Sequence, residues 1–197
     1  RYAYVGSYSS STLQVFDVSN PSSPSAVGSA GTGGVDPRSV FVSGRYAYVM
    51  NQSSNTLKIF DVSNPSSPVV VGSATTGSDP IFVFVSGRYA YVVNQSSNTL
   101  QIFDVSNPSS PVAVGSATTG TTPASVFVSG RYAYTANFTA STLQIFDVSN
   151  PSSPVAVGSA GTGTGTRSVF VSGRYAYVTN QTSNTLQIFD VSNPSSP

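Results

Sequence analysis

Hydrophobic residues along this chain come in short runs, and each run ends on a turn residue. Ala124 to Gly130 reads Ala-Ser-Val-Phe-Val-Ser-Gly, rich in β-formers and closed by glycine. Arg131 to Asn137 is a second run beyond that Ser-Gly turn. Its counterpart one unit earlier, Arg88 to Asn94, leads into the turn cluster Gln95-Ser96-Ser97-Asn98. Thr99 to Val105 follows, and the Ser-Asn-Pro-Ser-Ser-Pro after it stops a ladder because proline supplies no N–H donor. A fourth run, Val112 to Ala117, precedes a Thr/Gly-rich segment at 118–122. The pattern predicts four strands per unit, in the order A, B, C, D. The runs are nearly continuous in apolar character rather than alternating, as expected for sheets covered on both faces.

That set of four recurs. Copies open with Arg-Tyr-Ala-Tyr at Arg1, Arg45, Arg88, Arg131 and Arg174, giving units 1–44, 45–87, 88–130, 131–173 and a partial 174–197. A period of about 43 residues made of short strands and turns predicts an all-β fold, a β-propeller of about five four-stranded blades in one domain, 1–197. No single blade buries its own faces. A sandwich would bury one face of each sheet, and a β-solenoid would use shorter repeats without the two-proline corner. Residues 1–197 open on strand B and stop after strand C, so eighteen strands are expected where five full blades need twenty. About 19 further residues would complete the fifth unit and close a five-blade ring. The incomplete terminal blades are expected to be completed by residues outside this span or by strands of a neighbouring molecule.

Composition narrows the partners. Only 8% of residues are charged, the formal net charge is +1, and the eight basic residues are spread over the repeats, which argues against nucleic acid and anionic membrane. Cysteine and histidine are absent, removing the usual thiolate and imidazole metal ligands, the common general base and any disulfide. No metal or cofactor is therefore expected. A surface solvated by Ser, Thr, Asn and Gln with one lysine, Lys58, points to an extracellular or cell-surface location. No apolar stretch reaches bilayer length, so no membrane insertion is expected. The first residues are strand-like rather than leader-like, as in a mature form or fragment of an exported protein.

The stretch Leu-Gln-Ile-Phe-Asp-Val-Ser-Asn-Pro-Ser-Ser-Pro-Val-Ala-Val-Gly-Ser, with Val-Ser-Gly-Arg-Tyr-Ala-Tyr-Val, resembles the LVIVD repeat of bacterial and archaeal surface propellers. Tyr177-Val178-Thr179-Asn180 also spells the motif of the related YVTN repeats of surface-layer proteins. The resemblance runs the whole length of the chain. It implies a propeller fold and a surface location, and it carries no catalytic residue onto this sequence. Tryptophan is absent, which separates the chain from the Trp-Asp class of propellers.

In an antiparallel blade, the A-to-B and C-to-D connections share one end and the B-to-C and D-to-A connections share the other. The first end is nearly identical in every copy, whereas the second varies: Val35-Asp36-Pro37-Arg38, Ser78-Asp79-Pro80-Ile81-Phe82, Thr122-Pro123-Ala124 and Thr164-Gly165-Thr166-Arg167. Varied loops on a rigid scaffold are where binding surfaces sit. Tyr8, Arg38, Asp79, Phe82, Phe138 and Arg167 are the most distinctive residues of that end and form the expected ligand-binding face.

Asn51, Asn94, Asn137 and Asn180 each begin an Asn-x-Ser/Thr sequon in the B-to-C loop, a candidate glycosylation rim; Asn and Ser are equally good turn residues. Each unit has an Arg opening strand B and an Asp closing strand C: Arg1 with Asp17, Arg45 with Asp61, Arg88 with Asp104, Arg131 with Asp147, Arg174 with Asp190. These are expected to be structural ion pairs across the hairpin. Ten of the eleven tyrosines lie in the Arg-Tyr-Ala-Tyr runs and are read as packing between blades.

The expectation that follows is a non-enzymatic extracellular module, structural or adhesive, of a cell surface or filament, assembling with copies of itself by strand completion. A second reading is a lectin-like propeller that takes a surface glycan or protein on its varied loop face. An enzyme is disfavoured because the chain has seven carboxylates and most stand opposite a repeated Arg; Asp36 and Asp79 are the exceptions.

Overall fold

Turn residues divide the chain where the hydrophobic pattern places them. The computed structural model describes all of residues 1–197 and contains strands and turns without a helix. Blade 1 holds β1 (Tyr2–Ser7), β2 (Thr12–Asp17) and β3 (Ser25–Gly31). Blade 2 holds β4 (Pro37–Ser43), β5 (Tyr46–Asn51), β6 (Thr56–Asp61) and β7 (Val69–Thr75). Blade 3 holds β8 (Pro80–Ser86), β9 (Tyr89–Asn94), β10 (Thr99–Asp104) and β11 (Val112–Thr118). Blade 4 holds β12 (Pro123–Ser129), β13 (Tyr132–Asn137), β14 (Thr142–Asp147) and β15 (Val155–Gly161). Blade 5 holds β16 (Thr166–Ser172), β17 (Tyr175–Asn180) and β18 (Thr185–Asp190). Each blade is an antiparallel meander, so the four expected strands per unit and the two three-stranded ends are as the repeat predicts.

Local chemistry fixes the turns. Gly44, Gly87, Gly130 and Gly173 take the A-to-B turn at φ near 58°, in the left-handed region that glycine enters without a Cβ penalty. At the C-to-D corner, Asp104 Oδ1 accepts from the Ser106 backbone N–H and Asn107 Oδ1 accepts from Ser109, an Asx arrangement repeated in every copy. Arg45, Arg88, Arg131 and Arg174 pair with Asp61, Asp104, Asp147 and Asp190, the last two at 2.6 and 2.8 Å. Arg1 makes no such pair with Asp17, although its carbonyl accepts from Val18 N–H as the other four arginine carbonyls do from their own Val.

The core lies between blades, not within them. At the junction of blades 2 and 3, Tyr48, Met50, Leu57 and Ile59 of one sheet pack on Val83, Val85, Ala90, Val92, Phe103 and Val105 of the next. The same two sets meet at the other three junctions. This is why the apolar runs are continuous: each sheet has two covered faces. Innermost, Phe41, Phe84, Phe127 and Phe170 of successive A strands stack with ring centres 4.9, 4.8 and 5.0 Å apart.

Over residues 1–197 the five blades form an open arc, with three-stranded sheets at both ends. Leu186 and Ile188 are 62% and 58% exposed, although Leu143 and Ile145 in the same repeat positions are fully buried. Blade 1 presents Val5 at 44% exposure on its opposite face, where the equivalent Val49 and Val92 are fully buried. The outer faces of blades 1 and 5 therefore do not pack on each other.

Candidate functional site

The varied end of the arc carries a cavity of about 400 Å³ on the axis. Its floor and sides come from the first residues of the innermost strands: Arg38 of β4, Ile81 and Phe82 of β8, Ala124 and Ser125 of β12, Arg167 and Ser168 of β16. Gln52 and Gln95, just past β5 and β9, complete the lining. Strand A is innermost in each blade, so its first residues reach the axis, Arg38 alone from β4 and a pair from each of β8, β12 and β16.

Two main-chain ties hold the loops around this cavity. Gln52 N–H donates to the Asp36 carbonyl at 2.9 Å and Gln95 N–H to the Asp79 carbonyl at 2.8 Å, joining each B-to-C turn to the D-to-A turn of its own blade. Asp36 and Asp79 take φ of 60° and 62° immediately before proline, a left-handed conformation that Asp tolerates better than most residues.

The charge distribution is one-sided. Two guanidiniums line the cavity and no carboxylate does. Arg38 lies over the Tyr8 ring at 4.6 Å and its Nε donates to Gln52 Oε1. Gln52 Nε2 in turn donates to Asp79 Oδ1, and Asp79 Oδ2 accepts from Ser96 Oγ at 3.0 Å. Asp36 accepts from Ser53 Oγ. Both acidic side chains are thus engaged outside the lining, while Arg167 is exposed and forms none of the chain's four ion pairs. Ser125 Oγ accepts from the Val169 backbone N–H at 3.1 Å, which leaves its hydroxyl proton free to donate towards the cavity.

Of the six expected face residues, the structure brings Arg38, Phe82 and Arg167 into one cavity. Tyr8 and Asp79 act on it from behind, through Arg38 and Gln52. Phe138 occupies the repeat position of Gln52 and Gln95 but stands outside the lining. The sequence reading missed Gln52 and Gln95, which looked like the middle of a sequon, and Ser125 and Ser168, two serines among many.

The sequons are corrected. Asn51, Asn94, Asn137 and Asn180 are the last residues of their B strands and are at most 2% exposed. Their Nδ2 atoms, where a glycan would attach, donate to Thr56, Thr99, Thr142 and Thr185 at 3.0–3.3 Å. A glycan has no room there in the folded chain.

The LVIVD repeat model matches residues 1–32, 34–76, 82–119, 122–162 and 163–197. The chain belongs to the LVIVD repeat family. No curated protein matches it. Among solved structures, this LVIVD propeller is similar to one of Bacteroides uniformis named as a candidate 6-phosphogluconolactonase, with 18% identity and a TM-score of 0.87 over 99% of this chain and 65% of that one. A protein of Lactobacillus plantarum matches at 16% identity and TM-score 0.83, over 94% of this chain and 66% of its own. The periplasmic gluconolactonase of Pseudomonas aeruginosa matches at 21% identity and TM-score 0.82, over 96% and 63%. The chain thus spans just under two thirds of the length of these structures, and they establish its propeller fold. Two of these structures carry lactonase names, which conflicts with the expectation of a purely structural or adhesive, non-enzymatic module.

Proposed function

We propose that the axial cavity of this LVIVD propeller binds a small anionic, hydroxyl-bearing molecule of the sugar-acid class and opens its lactone. The observation that carries the reading is the pair of guanidiniums, Arg38 and Arg167, facing a cavity without a carboxylate. Arginine presents a planar fork of donors that matches a carboxylate or phosphate. Gln52, Gln95, Ser125 and Ser168 add donors and acceptors suited to hydroxyl groups, and Phe82 and Ile81 supply an apolar wall for a ring face. The cavity volume is that of a small-molecule site. The lactonase names of two similar structures favour this substrate class over other small anions.

Opening a lactone adds a water oxygen to the carbonyl carbon, develops charge on the carbonyl oxygen, and breaks the ring C–O bond as a proton passes to the departing ring oxygen. The lining lacks an imidazole or carboxylate to take the water's proton. What it supplies is fixed positive charge for the developing oxyanion and a grip on the acid group; loss of a single oxyanion donor typically costs about 10²–10³ in rate. The test follows acid release from glucono-δ-lactone and its 6-phosphate, corrected for opening in buffer alone, with titration of 6-phosphogluconate by calorimetry. Arg167→Met is expected to lower both the rate and the affinity at least about tenfold. Buffer-level opening together with no heat of binding refutes the reading.

A further inference from the structure

Two glutamines line the axial cavity from equivalent positions, and they differ in what holds them. Gln52 is engaged at both ends of its amide: Oε1 accepts from Arg38 Nε, and Nε2 donates to Asp79 Oδ1 on the next blade. Gln95 stands one repeat later in the same lining. In its own blade the residue matching Arg38 is Ile81, which has no donor, and on the next blade the residue matching Asp79 is Thr122. The Gln95 backbone N–H is tied to the Asp79 carbonyl at 2.8 Å, while its side-chain amide bonds to no other group of the protein. The loop is fixed and the amide is free.

Thr122 is the odd member of its position. Its backbone repeats that of Asp79: φ is 58° against 62°, and its N–H donates to Asn98 Oδ1 at 2.7 Å as Asp79 N–H does to Asn55 Oδ1 at 2.8 Å. The side chain repeats only half of what Asp79 does. Thr122 Oγ1 accepts from Thr139 Oγ1 at 2.8 Å, as Asp79 Oδ2 accepts from Ser96 Oγ at 3.0 Å, and it has no second oxygen to offer the glutamine of the preceding blade. A β-branched residue is strained at positive φ, where blades 2, 3 and 5 place Asp36, Asp79 and Gly165. The strain adjoins Ala124 and Ser125 of the cavity wall. Folding alone favours Asp here, and Asp would close the Gln95 amide as Asp79 closes that of Gln52.

We propose that Gln95 is the specificity residue of the axial cavity, reading hydroxyl groups of the ligand, and that Thr122 is the positioning residue that leaves it free to do so. The proposal rests on the reading of the cavity as a sugar-acid site. A free carboxamide accepts at Oε1 and donates from Nε2, so it meets hydroxyls on two neighbouring carbons with one bond to each. Arg38 and Arg167 have donors only and grip the acid group. Gln52, already engaged, holds Arg38 in place.

The test titrates 6-phosphogluconate and inorganic phosphate by calorimetry into the protein, Gln95→Leu, Thr122→Asn and the double variant, with a thermal melt of each. Gln95→Leu is expected to weaken 6-phosphogluconate binding about tenfold and to leave the Tm within about 2 °C. Asn enters the left-handed region readily and brings no charge, and its Oδ1 can accept from Gln95 Nε2. Thr122→Asn is therefore expected to weaken 6-phosphogluconate binding at least about threefold while raising the Tm by about 2–4 °C. In the Gln95→Leu background, Thr122→Asn should change affinity by less than about twofold, because both act through one amide. Phosphate, gripped by the guanidiniums, should bind each variant within about twofold of the parent. A Gln95→Leu that binds 6-phosphogluconate like the parent overturns this proposal alone, as does an equal loss for phosphate or a Thr122→Asn that melts higher with unchanged affinity. A parent that binds no 6-phosphogluconate overturns the sugar-acid reading and this proposal with it.

Discussion

Gly115 tests how the blades are spaced. It lies on β11 at the register shift between Ile102 and Phe103, and a Cβ built there meets the carbonyl oxygen of Pro151 on the next blade at 2.1 Å. Gly28, Gly72 and Gly158 stand in the same position, with their Cβ 2.1, 1.9 and 2.0 Å from the carbonyl oxygens of Pro65, Pro108 and Pro194. These are backbone atoms in a corner pinned by Asn150, whose Oδ1 accepts from Ser152 Oγ at 2.8 Å, so no side chain can swing aside. The methyl of Gly115→Ala must therefore push blades 3 and 4 apart by more than about 1 Å to reach ordinary contact distance. Overpacking of this kind costs about 1–3 kcal/mol, and the rigid partner places it at the upper end. For a chain of this size, each kcal/mol moves Tm by about 2–4 °C, so a fall of roughly 6–12 °C is expected in far-UV circular dichroism melts. Gly161→Ala is the control: nothing lies within 4 Å of its Cβ, and the copies in blades 2 and 3 carry Thr75 and Thr118 at that position. It should melt at or slightly above the parent, since alanine narrows the unfolded ensemble. If Gly115→Ala melts within about 2 °C of Gly161→Ala, the carbonyl does not set the blade spacing and the reasoning fails.

Two further outcomes follow from side chains at the two ends of the blades. The Asp61 and Asp104 carboxyls are held well below the usual carboxylate range, first by hydrogen bonds from the Arg45 and Arg88 guanidiniums and then by those from Ser63 and Ser106. A pKa depressed by folding adds stability above the unfolded value, about 3.9, that is lost as pH falls below it. Tm should therefore drop on acidification below about pH 4, and Asp61→Asn should flatten that drop; an unchanged slope in the variant would show that the pair does not couple to folding. At the opposite end, the burial of Asn51, Asn94, Asn137 and Asn180 means that folded chain secreted from a glycosylating host should have the mass of bare polypeptide. A glycan found on any of the four in folded, monodisperse material would contradict the burial.

The blade was legible in the sequence because each of its boundaries is chemical. Ser-Gly enforces the A-to-B turn and the Asx corner with two prolines ends strand C, so predicted and observed strands differ by a residue or two. The shape of the arc was not legible in the same way. Blade spacing depends on close approaches such as that of Gly115 to Pro151, which join residues in different repeats; the repeated glycine is visible in each copy, but its partner is not. A pattern that repeats every 43 residues reports what is common to the blades and is silent on the angle between them.

The same logic explains which part of the cavity could be read. Residues repeated between copies are accounted for by folding: the Leu of strand C and the Ile or Val two residues on by the junctions, the Arg and Asp of four copies by the hairpin pairs. A site that exists once on the axis has to draw its chemical identity from positions where the copies differ, and Arg38, Phe82 and Arg167 were visible for that reason. The converse does not hold. Gln52 and Gln95 are near-repeated turn residues, yet the twist of the blades carries both to the axis, where Gln52 links Arg38 to Asp79. Phe138 departs from the repeat at that same position and stays outside the cavity. Difference between copies therefore marks where specificity is written, while the geometry of the arc decides which shared residues are drawn into the same hollow.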